Sequence, residues 1–172
     1  MTEKKIEFWD LYNKDKQKLN KIHRRGDKLP PGEYFLAVNI WIINDKNEML
    51  LTQRHPDKFW PLKWECTGGA VLAGEDSYTG ALREVEEETG IRLKTCGKLI
   101  DTIMMNDYIK DIYVFMENIN IEDTKPEAGS VINIKWASIE ELNKMAENNE
   151  IAEPVLLDMK ELGKILACRK SV

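Results

Sequence analysis

Glu84, Glu87 and Glu88 stand in one short run, Glu84-Val-Glu-Glu-Glu88. At about 100° per residue, a helix through them puts Glu87 near 300° and Glu88 near 40° from Glu84. Three carboxylates then share one face about 100° wide. Ala81, Val85, Tyr78, Thr89 and Leu82 fall on the adjoining side as a core face, and Glu86 points to solvent. Clustered carboxylates repel one another, so a cation or a proton must relieve them. Oxygen ligands alone suit a hard ion, Mg²⁺ with Mn²⁺ as a substitute. Arg83 lies four residues before Glu87 and can hold it in place. Gly68, Gly69 and Gly74 let a loop backbone approach an ion or a phosphate closely. By itself, a Glu-rich run is more often a solvated helix face than an ion site.

The neighbouring residues weigh against the solvated face. Gly69, Glu75, Arg83, Glu84, Val85, Glu87, Glu88, Gly90 and Ile91 fill, without a gap, every fixed position of a known pattern. The segment resembles the Nudix box, Gly-x5-Glu-x7-Arg-Glu-U-x-Glu-Glu-x-Gly-U, where U is a bulky aliphatic. A chance match of its seven invariant positions is on the order of one in a hundred million per window. A Trp64-x-x-x-Gly68-Gly69 entry and the segment Lys135 to Leu142 are also similar to that family, so the resemblance covers roughly residues 34–146. It implies an α/β fold, the Nudix α/β/α sandwich, with the box as a loop–helix–loop on a mixed sheet. It also implies a hydrolase acting on the diphosphate linkage of a nucleoside di- or triphosphate, or of a nucleoside diphosphate derivative.

The same resemblance assigns roles. Glu84, Glu87 and Glu88 would bind Mg²⁺, with a backbone carbonyl of Gly69 or Gly68 as a further ligand. Glu75 would support the box by orienting Arg83 or Glu84. The general base would be Glu84, or an acid from a later loop, where Glu127 is the nearest. Arg54, Lys58 and Lys63 are candidates to meet phosphates. Trp60, with Phe59 and Trp64, would either stack on a base or pack around the box loop.

These residues need elements to carry them. Ile6 to Tyr12 reads as a strand, and Asn13 to Lys16 turns it back into Leu19–Ile22 as a hairpin before Pro30-Pro31-Gly32. Tyr34 to Ile43 is an apolar, β-branched and aromatic strand, turned at Asn44–Asn47 into Met49 to Arg54. Trp64 to Leu72 is a strand entering a loop. The helix runs from about Ser77 to Thr89, capped by Asp76 or Ser77 and stopped by Gly90. Ile91 to Met105, Tyr108 to Ile119 and Val131 to Ala137 read as strands, with Thr124 to Ser130 a loop. Ser138 and Glu141 form a capping box for a helix to about Glu147. Glu153 to Cys168 reads as a last helix, with Val155, Leu156, Met159, Leu162, Ile165 and Leu166 on one stripe. The expectation is one domain over residues 1–172: a hairpin extension at 1–31, a core at 34–146 and a C-terminal helix at 153–169.

The charge fits this reading. The 172 residues carry a net charge of −5, and the box from Gly69 to Ile91 holds six acids and one base, the whole of that excess. An acidic chain is a poor match for a nucleic-acid backbone, so no stable nucleic-acid partner is expected. No apolar run approaches membrane-spanning length and Met1-Thr-Glu-Lys-Lys shows no signal region, so no membrane partner and a cytoplasmic place are expected. Three scattered cysteines give neither a disulfide framework nor a zinc knuckle, and two histidines are too few for a His-based metal site. The expected partner is a small phosphoanhydride; a homodimer is open, with the hairpin as one interface. Two rivals stand beside hydrolysis. The hairpin, Gly32-x-Tyr34 and Leu51-Thr-Gln-Arg54 are similar to the type I isopentenyl diphosphate isomerase branch. That branch uses a cysteine where this chain has Gly68 and a histidine where it has Phe35. The other rival, a non-catalytic Nudix-fold nucleotide sensor, would lose box carboxylates, and none is lost.

Overall fold

β-branched and aromatic residues dominate the stretch that becomes the central strand, and both of its faces are covered. The computed structural model describes residues 6–159, 162 and 163. Strand β1 (Phe8–Tyr12) and β2 (Lys18–Arg24) pair as a hairpin. β3 (Phe35–Ile43), β4 (Met49–Arg54), β5 (Trp64–Glu65), β6 (Thr67–Ala70), β7 (Lys98–Met104), β8 (Tyr108–Met116) and β9 (Val131–Ala137) build one sheet. Its order is β5-β4-β3-β8-β7, with β6 added to β3 and β9 to β4. The β3–β8 pair is parallel and the others are antiparallel, so the sheet is mixed.

Alternation along β3 separates two cores. Val38, Ile40 and Ile42 face helix α1 (Ser77–Thr89), where Ala81, Val85 and Val71 meet them. Trp41 and Ile43 face the other way, toward α2 (Ile139–Glu147) and α3 (Glu153–Leu156), meeting Leu142, Met145, Val155 and Leu162. The result is the expected α/β/α sandwich. No helix among the described residues is long and apolar enough to cross a membrane.

Three boundaries differ from the sequence reading. Residues 91–97 are not strand, and β7 begins only at Lys98. Ile91 and Leu93 pack back against the α1 core, while the Glu117 carboxylate accepts the backbone N–H groups of Lys94 and Thr95. β8 likewise ends at Met116, short of Ile119. The expected last helix is interrupted: α3 stops at Leu156, a turn follows at Leu157 and Asp158, and Met159, Leu162 and Gly163 are helical again. Leu156, placed on its buried stripe, is 39% exposed. The cause is Asp158, whose carboxylate is drawn into the core. It accepts from Lys110 Nζ at 2.5 Å, Asn39 Nδ2 at 2.6 Å and Trp41 Nε1 at 3.3 Å. Leu162 is buried, as the expected stripe requires, and the remainder of that expected helix, with Ile165 and Leu166, lies outside the described residues.

The hairpin is fastened to the sheet and to the loop that leads into α1. Trp9 stacks on Phe35 at 4.2 Å and Phe35 on Tyr108 at 5.4 Å. Lys16 pairs with the buried Asp111 at 2.6 Å. Phe8 O accepts from Ala73 N at 2.7 Å, and Asp10 Oδ2 accepts from Gly74 N at 2.7 Å. Two residues of β1 thus hold the loop that leads into α1.

Candidate active site

Asp76 caps α1 by accepting from Thr79 N at 2.7 Å, and Gly90 ends it in the left-handed conformation at φ 73°. Between those ends, Arg83 organises the box. Its Nε and Nη2 grip Glu75 at 2.9 and 3.1 Å. Its Nη1 donates to Glu84 Oε1 and to Glu87 Oε2, each at 2.8 Å, and its Nη2 donates to Ala70 O at 2.9 Å. Burial disfavours the guanidinium charge, but Glu75, then Glu84 and Glu87, more than offset it and hold the pKa above its ordinary value. Glu75 also accepts from Leu72 N at 3.0 Å, so one carboxylate fixes both the loop and the arginine.

A side chain on either box glycine would meet its surroundings closely. A Cβ on Gly69 would lie 2.4 Å from the Glu84 carboxyl. One on Gly68 would lie 2.5 Å from Val38 O and 2.8 Å from Asn39 Oδ1. Gly68 N donates to Glu88 Oε2 at 3.3 Å. Glu84 and Glu88 therefore lie against the bare glycine backbone of β6, and Glu87 lies at the half-exposed outer side.

A fourth carboxylate joins them that the sequence reading missed. Glu65 on β5 pairs with Arg54 Nη1 at 2.5 Å. After burial, its charge is the largest contribution to the raised pKa of Glu88, followed by that of Glu84. One signal could have found it. Residues 65, 67 and 69 alternate onto one face, and Thr67 and Gly69 already face α1.

Among the other expected contacts, Lys58 is close enough for its charge to act on Glu65 and Glu88. Arg54 also donates from Nε to Phe59 O at 2.5 Å, and its guanidinium lies 5.9 Å from the Trp60 ring. Trp60 and Leu62 hold positive φ, 51° and 63°, which leaves Phe59 and Trp60 exposed on the loop between β4 and β5. Lys63 turns away, donating to Asn149 O. Trp64 packs against the second core beneath Lys135, whose Nζ is 4.7 Å from its ring. Glu127 donates its backbone N–H to Glu88 O at 3.2 Å, and its residue is exposed. With Lys125 N on Thr89 O at 2.7 Å, the Thr124–Ser130 loop closes the end of α1. Cys66 is buried, facing away from α1.

Burial pushes Glu84 up to about 7 against the pull of Arg83, with Glu87 and Glu7 adding to the rise. Glu88 and Glu65 are raised too, burial being the first cause in each. As they stand, no three His, Cys, Asp or Glu groups among the described residues converge tightly enough to hold an ion, because Arg83 occupies Glu84 and Glu87. The donor set still suits a hard cation, because it consists of carboxylate oxygens, with Glu84 largely buried and Glu88 buried against the β6 backbone.

The raised carboxyls set a pH dependence. Between 4.5 and about 7 the folded Glu84 keeps a proton that the unfolded chain has lost. Stability of the metal-free protein should therefore fall as pH rises through that window, by on the order of 3 kcal/mol for Glu84 alone. Urea denaturation at pH 5 and pH 7.5 without divalent ions measures this. Glu84→Gln should lack its share of the slope; equal slopes in the two proteins would refute the assignment.

The NUDIX domain family matches residues 33–159. A Nudix hydrolase of Listeria monocytogenes is 31% identical over 148 residues, 84% of this chain and 88% of that protein. Two solved structures share the fold. One is Deinococcus radiodurans DR0079, at a TM-score of 0.74 and 18% identity, covering 92% of this chain and 98% of that one. The other is the NUDIX domain of Shewanella oneidensis NrtR complexed with ADP ribose, at a TM-score of 0.64 and 18% identity, covering 77% and 88%.

Proposed function

The chain belongs to the NUDIX family, a hydrolase acting on pyrophosphate bonds, and from that premise we propose a divalent-metal-dependent pyrophosphohydrolase of nucleoside diphosphate derivatives. The observation that carries the reading is the packing of Glu84 and Glu88 against the side-chain-free backbone of Gly69 and Gly68. Glu84, Glu87, Glu88 and the Gly69 carbonyl would hold Mg²⁺ or Mn²⁺. Such an ion, when bound, neutralises phosphate oxygens and lowers the pKa of a nearby water.

The chain's own groups do the rest. Arg83 fixes the direction of Glu84 and Glu87, and Glu75 fixes Arg83. Glu84, set in place by Arg83 beside the ion site, can take a proton from the attacking water. Glu127 is placed less directly for that role, since its contact with α1 is through the backbone. Arg54 and Lys58 flank the carboxylates from the β4–β5 side and would meet the phosphates, with Trp60 at the rim. Lys63 would join them only by leaving Asn149. The NrtR likeness motivates ADP-ribose as a first substrate to try, and a cytoplasmic, small-molecule role fits the acidic chain.

Incubation with Mg²⁺ and nucleoside triphosphates, nucleotide sugars, ADP-ribose, dinucleoside polyphosphates and isopentenyl diphosphate tests the reading. Nucleotide release from at least one is expected. Tight binding without turnover would favour a sensor, and isomer formed from isopentenyl diphosphate would overturn hydrolysis.

Gly69→Ala should separate fold from chemistry. The three atoms nearest the added methyl all belong to the end of the Glu84 side chain, so the melting temperature should hold within a few degrees. Glu84 must move by about an ångström, which should cut kcat on the order of a hundredfold. Unchanged kcat would remove Glu84 from the reaction.

A further inference from the structure

Glu65 costs the fold something that a glutamine would not. In Glu65→Gln, the amide oxygen would accept the same hydrogen bond from Arg54 while sparing Glu88 the repulsion of a neighbouring charge. Burial adds to the cost, because the Glu65 side chain is only 14% exposed. A fully buried hydroxyl lies beside it: Thr52 is opposite Glu65 in the β4–β5 ladder, and its Oγ1 has no hydrogen-bond partner among the described residues. Arg54 follows Thr52 by two residues and so shares its face. The β4–β5 edge thus places a cation, a carboxylate and an unused hydroxyl against the carboxylates of α1.

The carboxylate's charge has one evident use. On α1, Arg83 lies directly on Glu84 and Glu87. Arg54 is the guanidinium on the opposite wall, and without a charged partner it would be drawn onto Glu88 in the same way. Glu65 instead holds it, while Phe59 O and the Trp60 ring fix its other edge. Among the described residues this leaves the Glu88 carboxylate with a single hydrogen bond, from Gly68 N, and keeps a guanidinium on the β4–β5 side of the site.

We propose that Glu65 is a positioning residue that keeps Arg54 off Glu88 and presents it to the substrate's diphosphate. This rests on the hydrolase reading above, and it names the residue pair that recognises the phosphates. The role asked of Arg54 is bidentate phosphate recognition, which a fixed planar guanidinium does well.

Imidodiphosphate, a diphosphate mimic with no cleavable P–O–P bridge, tests this by titration calorimetry in Mg²⁺. Glu65→Gln and Arg54→Gln should each weaken its binding by tenfold or more. The double variant should bind no worse than Arg54→Gln alone, since Glu65 acts through Arg54. Glu65→Asp, which keeps the charge, should recover part of the loss and serves if Glu65→Gln folds poorly. On any substrate that is turned over, Glu65→Gln should raise KM far more than it lowers kcat. Wild-type affinity in Glu65→Gln, or losses that multiply in the double variant, would overturn the proposal. Absence of turnover in the wild type with the imidodiphosphate pattern intact would overturn the hydrolase reading and leave this one standing.

Discussion

Replacing Glu88 with glutamine is expected to abolish turnover and, at the same time, to stabilise the metal-free protein. The two effects have one cause. Glu88 is 7% exposed, and burial, Glu65 and Glu84 all oppose its charge. A neutral amide of the same shape removes that opposition, so the melting temperature without divalent ions should rise, and the gain should grow as pH rises and ionisation of the carboxyl is forced. The same change removes a cation ligand, and kcat should fall by about a thousandfold or more, the scale of losing a principal electrostatic stabiliser. Differential scanning calorimetry and steady-state kinetics on one preparation check both. Retained activity would take Glu88 out of the reaction. Lost activity with a lowered melting temperature would mean that the residue is simply structural.

Asp158→Ala should produce the largest loss of stability, on the order of 3–5 kcal/mol, because it leaves a buried ammonium without its counter-charge. Lys110 and Asp158 side chains are 1% and 0% exposed. Burial raises the Asp158 carboxyl, and Lys110 opposes that rise. After the substitution, Lys110 Nζ would keep, among the described residues, Pro154 O at 2.8 Å. Urea denaturation measures the loss. The double substitution Lys110→Met with Asp158→Leu should recover most of it, since apolar side chains of similar volume need no partner. A loss under about 1 kcal/mol for Asp158→Ala would show that water reaches the pair. The consequence reaches β6, because Asn39, oriented by Asp158, is one of the two walls against which Gly68 fits.

What was legible in the sequence had its partners close by. Asp76, Arg83, Glu87 and Gly90 act within one or two turns of helix, so spacing alone placed the cap, the Arg83–Glu87 contact and the stop. Glu75 and Arg83 are eight residues apart and belong to one pattern. The residues that escaped notice depend on distant strands. Glu65 reads as one polar position between Trp64 and Cys66 until β4 brings Arg54 against it. Lys110 sits in a strand where a lysine is ordinarily solvated, and only Asp158, 48 residues later, explains its burial. The same residue sits in the turn at Leu157 and Asp158 that interrupts the expected last helix. Periodicity reports which face a residue occupies, and it carries no term for a charge recruited from the far end of the chain.

The clasp between β1 and the box loop bears on the order in which the catalytic segment becomes complete. Gly74 finds its acceptor on Asp10, 64 residues earlier. The first strand therefore emerges early in synthesis but is used late, after the central sheet has brought residues 73 and 74 within reach. In the finished molecule the relation runs backwards. Whenever the hairpin lifts off, Ala73 and Gly74 lose their acceptors together, so the lifetime of the ordered loop is tied to the local opening equilibrium of a segment that holds none of the box carboxylates.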